Sequence, residues 1–286
     1  MYAITGITGQ VGGALAHHLL AAGLPVRAIV RDAAKGAAWA GRGCEIALAD
    51  MHGTAALTHA FTGASAVFVL LPPNFDPTDG FPESRAVIAS LRMALQAARP
   101  ERVVCLSTVG AQATQPNLLN QLGIMERELG TLALPVAFLR AAWFIENSLW
   151  DVAAARDGVI PNFLQPLDRE VPMVACADIA ALAAELMQAR WDGVRVVELE
   201  AQERVSPNDI AAGFARLLGH PVAATAVPRD TWHDLLTSQG MRNPVPRSQM
   251  LDGFNQGWID FEGGPHMSRK GGTTLDAALR ALLERA

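Results

Sequence analysis

The sequence is poor in the residues that would mark a thiol-redox, metal or nucleic-acid protein. Its 286 residues include three cysteines, Cys44, Cys105 and Cys176, widely spaced and without a CxxC pair. Neither a disulfide framework nor a thiol redox motif is expected from them. Cys44 and Cys105 fall in or beside apolar runs, where a buried thiol behaves as a small hydrophobe. The seven histidines show no metal-ligand spacing. His17 and His18 are helix neighbours that face different directions, so no metal is expected. Lys and Arg number 23 against 28 Asp and Glu, a formal charge of −5, which argues against a nucleic-acid surface. No apolar run reaches the roughly 18 residues of a membrane-spanning helix. Met1-Tyr2-Ala3-Ile4-Thr5-Gly6 carries no charged leader, which predicts a cytoplasmic protein without a targeting peptide. Tyrosine is scarcest of all: Tyr2 stands alone.

Hydrophobic residues, by contrast, make up 50% of the chain and charged ones only 18%, enough for a large packed core. Seven short β-like runs are expected, at Met1–Thr5, Val26–Val30, Glu45–Ala49, Ala66–Leu71, Arg102–Ser107, Val136–Arg140 and Val194–Leu199. Helical patterns near Val11–Ala22, Thr54–Phe61, Pro82–Ala98, Leu118–Leu132 and Ala177–Gln188 alternate with them. The runs Ala66–Leu71 and Val103–Leu106 are continuously apolar rather than alternating, as strands covered on both faces are. Together these predict an α/β fold, a doubly wound parallel sheet of Rossmann type. Beyond residue 145 the pattern changes: prolines interrupt Gly158–Pro172, and from Val205 onward the chain reads as mostly helical, punctuated at Gly219-His220-Pro221, Asn243-Pro244 and Gly263-Gly264-Pro265. Residues 1–145, with 177–200 returning, are expected to form the dinucleotide-binding domain. Residues 146–176 and 201–286 are expected to form a smaller substrate or lid region at the carboxyl ends of the strands, where open sheets place their ligands.

The sharpest motif is Thr5-Gly6-Ile7-Thr8-Gly9-Gln10-Val11-Gly12-Gly13, between the first strand and the first helix. In this setting Gly6 permits the tight turn, Gly9 lets the backbone approach a pyrophosphate, and Gly12 lets helix and strand pack closely. The helix N-terminus adds free N–H groups and positive dipole for phosphates. Thr8, Gln10 and Val11 complete this candidate cofactor loop. At the end of the second strand stand Arg31 and Asp32, with Lys35 close behind. A guanidinium at Arg31 suits a 2′-phosphate, with Lys35 as a second cation, so NADP(H) is expected and NAD(H) less so. Asp32 keeps the other reading open: it would neutralise Arg31 or bond the ribose of NAD. Asp50 and Met51, ending the third strand, are candidates for an adenine-edge contact. Leu71, Pro72 and Pro73, ending the fourth, would lie beside the middle of the cofactor.

These features resemble the NmrA-like members of the atypical short-chain dehydrogenase/reductase superfamily. The resemblance rests on Thr5–Gly12, Val30-Arg31-Asp32, Ser107-Thr108-Val109-Gly110 and Glu126-Arg127-Glu128-Leu129, then on Leu139–Asn147, Ala177–Ala180 and the late Arg269–Leu275. It implies an NADP(H)-binding domain with a small, variable substrate domain, in either a quinone or enone reductase or a non-catalytic redox sensor that acts through a protein partner.

Many short-chain dehydrogenases use a Tyr-x-x-x-Lys pair on the helix after the fifth strand, the Tyr as proton donor. Aligned on Glu126, those positions hold Leu118 and Leu122, and the segment contains no lysine. Hydride transfer would then depend on positioning an acceptor, such as a quinone, whose reduced anion is already stabilised. Ser107 and Thr108 are the candidates for catalytic help, with Asn117 and Asn120 as more distant ones, and Ser107 also for cofactor contact. Phe75, Trp143, Phe144 and Trp258, with Phe81 and Phe261, are candidates for an apolar pocket. Pro72–Pro82 reads as a flap over the cofactor, and Arg140 as one half of an ion pair. The expected partner is an apolar or aromatic small molecule, with a protein partner if the chain is a sensor, and neither nucleic acid nor membrane. An isomerase or lyase of the same fold is a third reading.

Overall fold

The computed structural model describes residues 1–264 and 266–286; Pro265, read above as punctuation, lies outside the described residues. The strands run β1 (Tyr2–Ile4), β2 (Val26–Val30), β3 (Glu45–Leu48), β4 (Ala66–Val69), β5 (Val103–Thr108), β6 (Val136–Ala141), β7 (Trp143–Phe144), β8 (Val159–Asn162), β9 (Met173–Val174), β10 (Val194–Glu200), β11 (Ala223–Ala226) and β12 (Arg269–Lys270). Eight form one sheet in the order β12-β10-β6-β5-β4-β1-β2-β3, and every pairing within it is parallel. From β1 the chain builds outward to β3, then crosses back to place β4 on the other side of β1. This reversal is the topological switch point, where a doubly wound sheet opens a crevice for its ligand.

The helices are α1 (Gln10–Ala21), α2 (Ala33–Ala40), α3 (Thr54–Phe61), α4 (Pro82–Ala98), α5 (Asn120–Leu129), α6 (Val152–Arg156), α7 (Cys176–Gln188), α8 (Pro207–Leu218), α9 (Trp232–Ser238), α10 (Val245–Gln256) and α11 (Leu275–Arg285). Successive strand residues point to opposite faces. Ile4, Ala28, Phe68 and Val104 join Leu15 and Leu19 of α1 and Ile179 and Leu186 of α7 in one core. Ala3, Ile29, Val67 and Val103 join Leu57 of α3, Leu91 of α4 and Met125 of α5 in the other. The central strands β4 and β5 are thus buried on both sides, the physical cause of their continuous apolar runs.

The seven expected strands all form. The helix expected from Leu118 begins at Asn120, because Asn117 ties the preceding turn: its Oδ1 accepts from Leu119 N at 2.7 Å and its Nδ2 donates to Gln115 O at 2.9 Å. Helix α2 was not expected, since Ala33–Ala40 is rich in Ala and Gly and has no clear apolar period. β7 pairs with β9 and β8 with β11, both outside the large sheet. Within 201–286, expected in the smaller region, Arg269–Lys270 instead continues the large sheet beyond β10. A two-residue charged strand carries no hydrophobic signal. What holds it is Glu200, fully buried, which accepts from Lys270 Nζ at 2.8 Å and Arg204 Nε at 3.0 Å.

Candidate active site

At the switch point the carboxyl ends of β1, β2, β4 and β5 open into a cleft of about 960 Å³, within the size range of small-molecule and cofactor sites. Its floor begins with the glycine loop. Gly6 adopts φ 63°, and a Cβ there would lie 2.8 Å from Leu70. Gly12 is tighter still, since a Cβ would come within 2.4 Å of the Gly6 carbonyl oxygen. Any larger side chain would therefore push α1 away from β1. The loop is locked by Gly9 N donating to Gly6 O at 2.9 Å. Thr5 Oγ1 donates to Phe68 O at 3.1 Å and fixes β1 against β4. The first turn of α1 carries no acidic residue, so its open N–H groups face the cleft without a competing charge.

All fourteen residues singled out for the cofactor line this cleft, from Gly6, Thr8, Gly9, Gln10, Val11 and Gly12 through Arg31 and Lys35 to Asp50, Met51, Leu71, Pro72, Pro73 and Ser107. Asp32 lines the cleft as well. It is the N-cap of α2, accepting from Ala34 N at 2.8 Å, and among the described residues it forms no ion pair with Arg31. Arg31 and Lys35 thus stand in the cleft with no ion pair among the described residues, though Asp32 and Asp50 share its lining. Phosphates there would meet two cations and the free N–H groups at the start of α1: the residues present fit a nicotinamide dinucleotide.

Apolar side chains also contribute to the lining. Leu118 and Leu122, at the two dehydrogenase-pair positions, are both part of it, together with Phe75 and Phe144. Tyr2 is on β1 and does not line the cleft. Trp143 and Trp258 do not line it either, and the pocket expectation is corrected for both. Trp143 packs edge-on against Phe254 with centroids 5.2 Å apart, and Trp258 donates from Nε1 to Gln256 at 3.0 Å. Phe261 is buried in the core, and Phe81 caps the start of α4 in a left-handed conformation, φ 59°. Asn117 and Asn120 hold the 113–120 turn together; Asn120 Nδ2 donates to Ala113 O at 3.1 Å.

Ser107 and Thr108 both reach the cleft, but their hydroxyls differ. Ser107 is buried and donates to Glu126. Glu126 in turn accepts from Arg140 Nη2 at 2.8 Å and Nε at 3.0 Å. Arg140 also binds Glu262 at 2.9 Å and Glu198 at 3.3 Å, the ion pairing its sequence position suggested. Burial works against its charge, yet the bonds from Glu126 and Glu262 hold the guanidinium above its ordinary pKa. The Ser107 proton is therefore spent on this network, and what its hydroxyl offers the cleft is an acceptor lone pair. Thr108 has no side-chain hydrogen bond among the described residues.

A buried polar cluster in the same wall was missed. Ser84 donates to Gln121, whose Nε2 donates to Leu118 O at 3.0 Å and Asn74 O at 3.2 Å. Gln121 is 5% exposed; an amide among Leu118, Leu119 and Leu122, next to Asn120, was the available signal. Cys176 also lines the cleft, but burial and then Glu146 push its thiol far up, which makes it a poor nucleophile.

With the geometry in place, the comparisons are specific. Residues 6–190 match the NAD(P)H-binding family. The chain belongs to that family. It is 26% identical over 243 residues to an NAD(P)H azoreductase of Xenophilus azovorans, spanning 84% of this chain and 82% of that protein. A solved NADPH-dependent quinone oxidoreductase from Escherichia coli, complexed with NADPH, superposes with a TM-score of 0.82 at 25% identity over 99% of both chains. A mutant of NmrA superposes with a TM-score of 0.70 at 20% identity, over 99% of this chain and 90% of that one. The NAD(P)H-binding part of the resemblance read from the motifs is thus matched by the family, and NmrA shares the fold.

Proposed function

We propose that this member of the NAD(P)H-binding family is an NADPH-dependent reductase of quinone-like acceptors. The observation that carries this is the make-up of the cleft: a glycine loop with two cations that form no ion pair among the described residues, and a wall that includes Leu118 and Leu122. Bound NADPH would supply hydride from its nicotinamide ring. The loop and the α1 N-terminus hold the phosphates, while Arg31 and Lys35 favour the 2′-phosphorylated form over NAD(H). Phe75, Phe144, Leu118 and Leu122 exclude water from a flat acceptor and orient it, an effect worth several kcal/mol of barrier. Ser107, oriented by Glu126, accepts from a hydroxyl or amide of the cofactor. Thr108 donates a hydrogen bond to the oxygen on which negative charge gathers. With no tyrosine in the cleft the balancing proton comes from solvent: quinone, NADPH and one proton give hydroquinone and NADP⁺. A quinone tolerates this because its reduced anion is stable without an enzymic acid. The quinone oxidoreductase and azoreductase relatives support the same acceptor class.

The Leu118 and Leu122 positions also favour a second reading, a sensor that binds NADP(H) without turnover and signals to a protein partner. The deciding experiment follows NADPH consumption with quinones, enones and azo dyes. Saturable turnover of quinones is expected. Tight NADPH binding without turnover of any acceptor would overturn the reductase and favour the sensor.

A further inference from the structure

Just outside the lining of the cleft, beside Phe75, stands a cation with no counter-charge among the described residues. Arg247 is the third residue of α10, a helix whose first turn has no acidic side chain and whose N-cap makes no side-chain bond. Among the described residues it forms no hydrogen bond and no ion pair. Its neighbours do: Arg242 pairs with Asp76 at 3.3 Å, and Arg229 with Asp252, on the same helix, at 2.7 Å. Arg247 instead lies with its guanidinium carbon 5.9 Å from the centroid of Phe75, a ring that lines the cleft and is 57% exposed. The start of α10 is fixed beside the cleft lining, because Pro246 O accepts from Leu118 N at 2.9 Å. Burial alone holds the Arg247 guanidinium below its ordinary pKa, as it does for a cation removed from water with nothing to balance it. The positive end of the helix dipole adds to the imbalance. Glu83, in the same cleft wall, is engaged by the Thr78 hydroxyl. An unpaired, half-buried guanidinium stacked on a cleft-lining ring is costly unless an anion arrives.

We propose that Arg247 is a specificity residue that binds an acidic substituent, a sulfonate, carboxylate or phosphate, on the acceptor. The preferred substrates are then flat quinonoid or aromatic acceptors that carry an oxyanion beyond the reacting ring. Phe75 holds the ring system and Arg247 closes on its charged edge, a geometry suited to bidentate oxyanion pairing. The inference rests on the reductase reading for turnover but not for binding.

The test compares kcat/KM for a naphthoquinone and its ring-matched sulfonate in the wild type, Arg247→Gln and Arg247→Lys. The intrinsic reactivities of the two quinones cancel when the sulfonate-to-neutral ratio of one protein is divided by that of another. Arg247→Gln should lower this ratio about tenfold or more, chiefly through KM, as expected for loss of one charge-assisted contact. Arg247→Lys should keep an intermediate ratio and guards against a folding defect. The companion measurement titrates naphthalene sulfonate into the NADP⁺-bound protein, with binding expected to weaken at least as much in Arg247→Gln. Turnover of both quinones with an unchanged ratio in Arg247→Gln would overturn the anion site and leave the reductase standing. Arg247-dependent sulfonate binding without turnover of either quinone would do the reverse.

Discussion

Ser107 and Thr108 are adjacent on β5, and their different partners give them different work. Ser107 opposes Arg140 across the β5–β6 ladder and gives its proton to the carboxylate that Arg140 holds. A buried hydrogen bond to a charged group contributes about 1.5–3 kcal/mol, and leaving the carboxylate short of a donor costs as much. Ser107→Ala should therefore lower Tm. Thr108, with no such partner, should behave differently: Thr108→Val is expected to reduce kcat for quinones about tenfold, with NADPH affinity and Tm nearly unchanged. Calorimetric titration, thermal melts and steady-state kinetics on the two variants separate these roles. A Thr108→Val enzyme with full kcat would remove the hydroxyl from the chemistry.

Between elements, the same cleft depends on a latch joining its flap to the smaller region. The Asp76 carboxylate, in the loop after β4, accepts from Asn243 N at 2.7 Å and Arg242 N at 3.0 Å. Asn243 Nδ2 reaches back to Pro77 O at 3.0 Å and Asp79 at 2.9 Å. The segment expected to be a free flap is therefore fastened just ahead of α10. The amides of Asn243 and then Arg242 hold the Asp76 carboxyl below its ordinary pKa. A depressed carboxyl stabilises above its unfolded pKa, so the latch is intact from about pH 4 upward and is lost as pH falls through the lowered value. Asp76→Asn should raise amide hydrogen exchange at residues 242–243 at neutral pH, and should raise the KM of the acceptor several-fold more than that of NADPH. Unchanged exchange at those amides would show that the carboxylate charge does not hold the flap.

At the scale of the whole molecule, legibility followed hydrophobic pattern and glycine spacing. Strands buried on both faces write themselves as Ala66–Val69 and Val103–Cys105, and the switch-point cleft follows from alternating strands and helices. The residues named for a cofactor could be brought to one cleft from the sequence because they sit in the glycine loop and at the carboxyl ends of strands. Of the aromatics named from the sequence, Phe75 and Phe144 do line the cleft; Gln121 and the placing of α10 were not legible, because that wall is assembled from segments distant in the chain. Trp143 and Trp258 looked like pocket residues because aromatic identity does not reveal which way a ring faces. Arg269–Lys270 was unreadable as a strand because ion pairs to Glu200 and Glu185 hold it, not an apolar face.

The central claim is that this cleft binds NADPH through the glycine loop and reads its 2′-phosphate with Arg31. It is tested most directly by titrating NADPH and NADH into the wild-type protein and Arg31→Ala. The account predicts that NADPH binds more tightly to the wild type, and that Arg31→Ala weakens NADPH about tenfold or more while changing NADH less than about twofold. Equal losses for both dinucleotides, or no NADPH preference in the wild type, would contradict it.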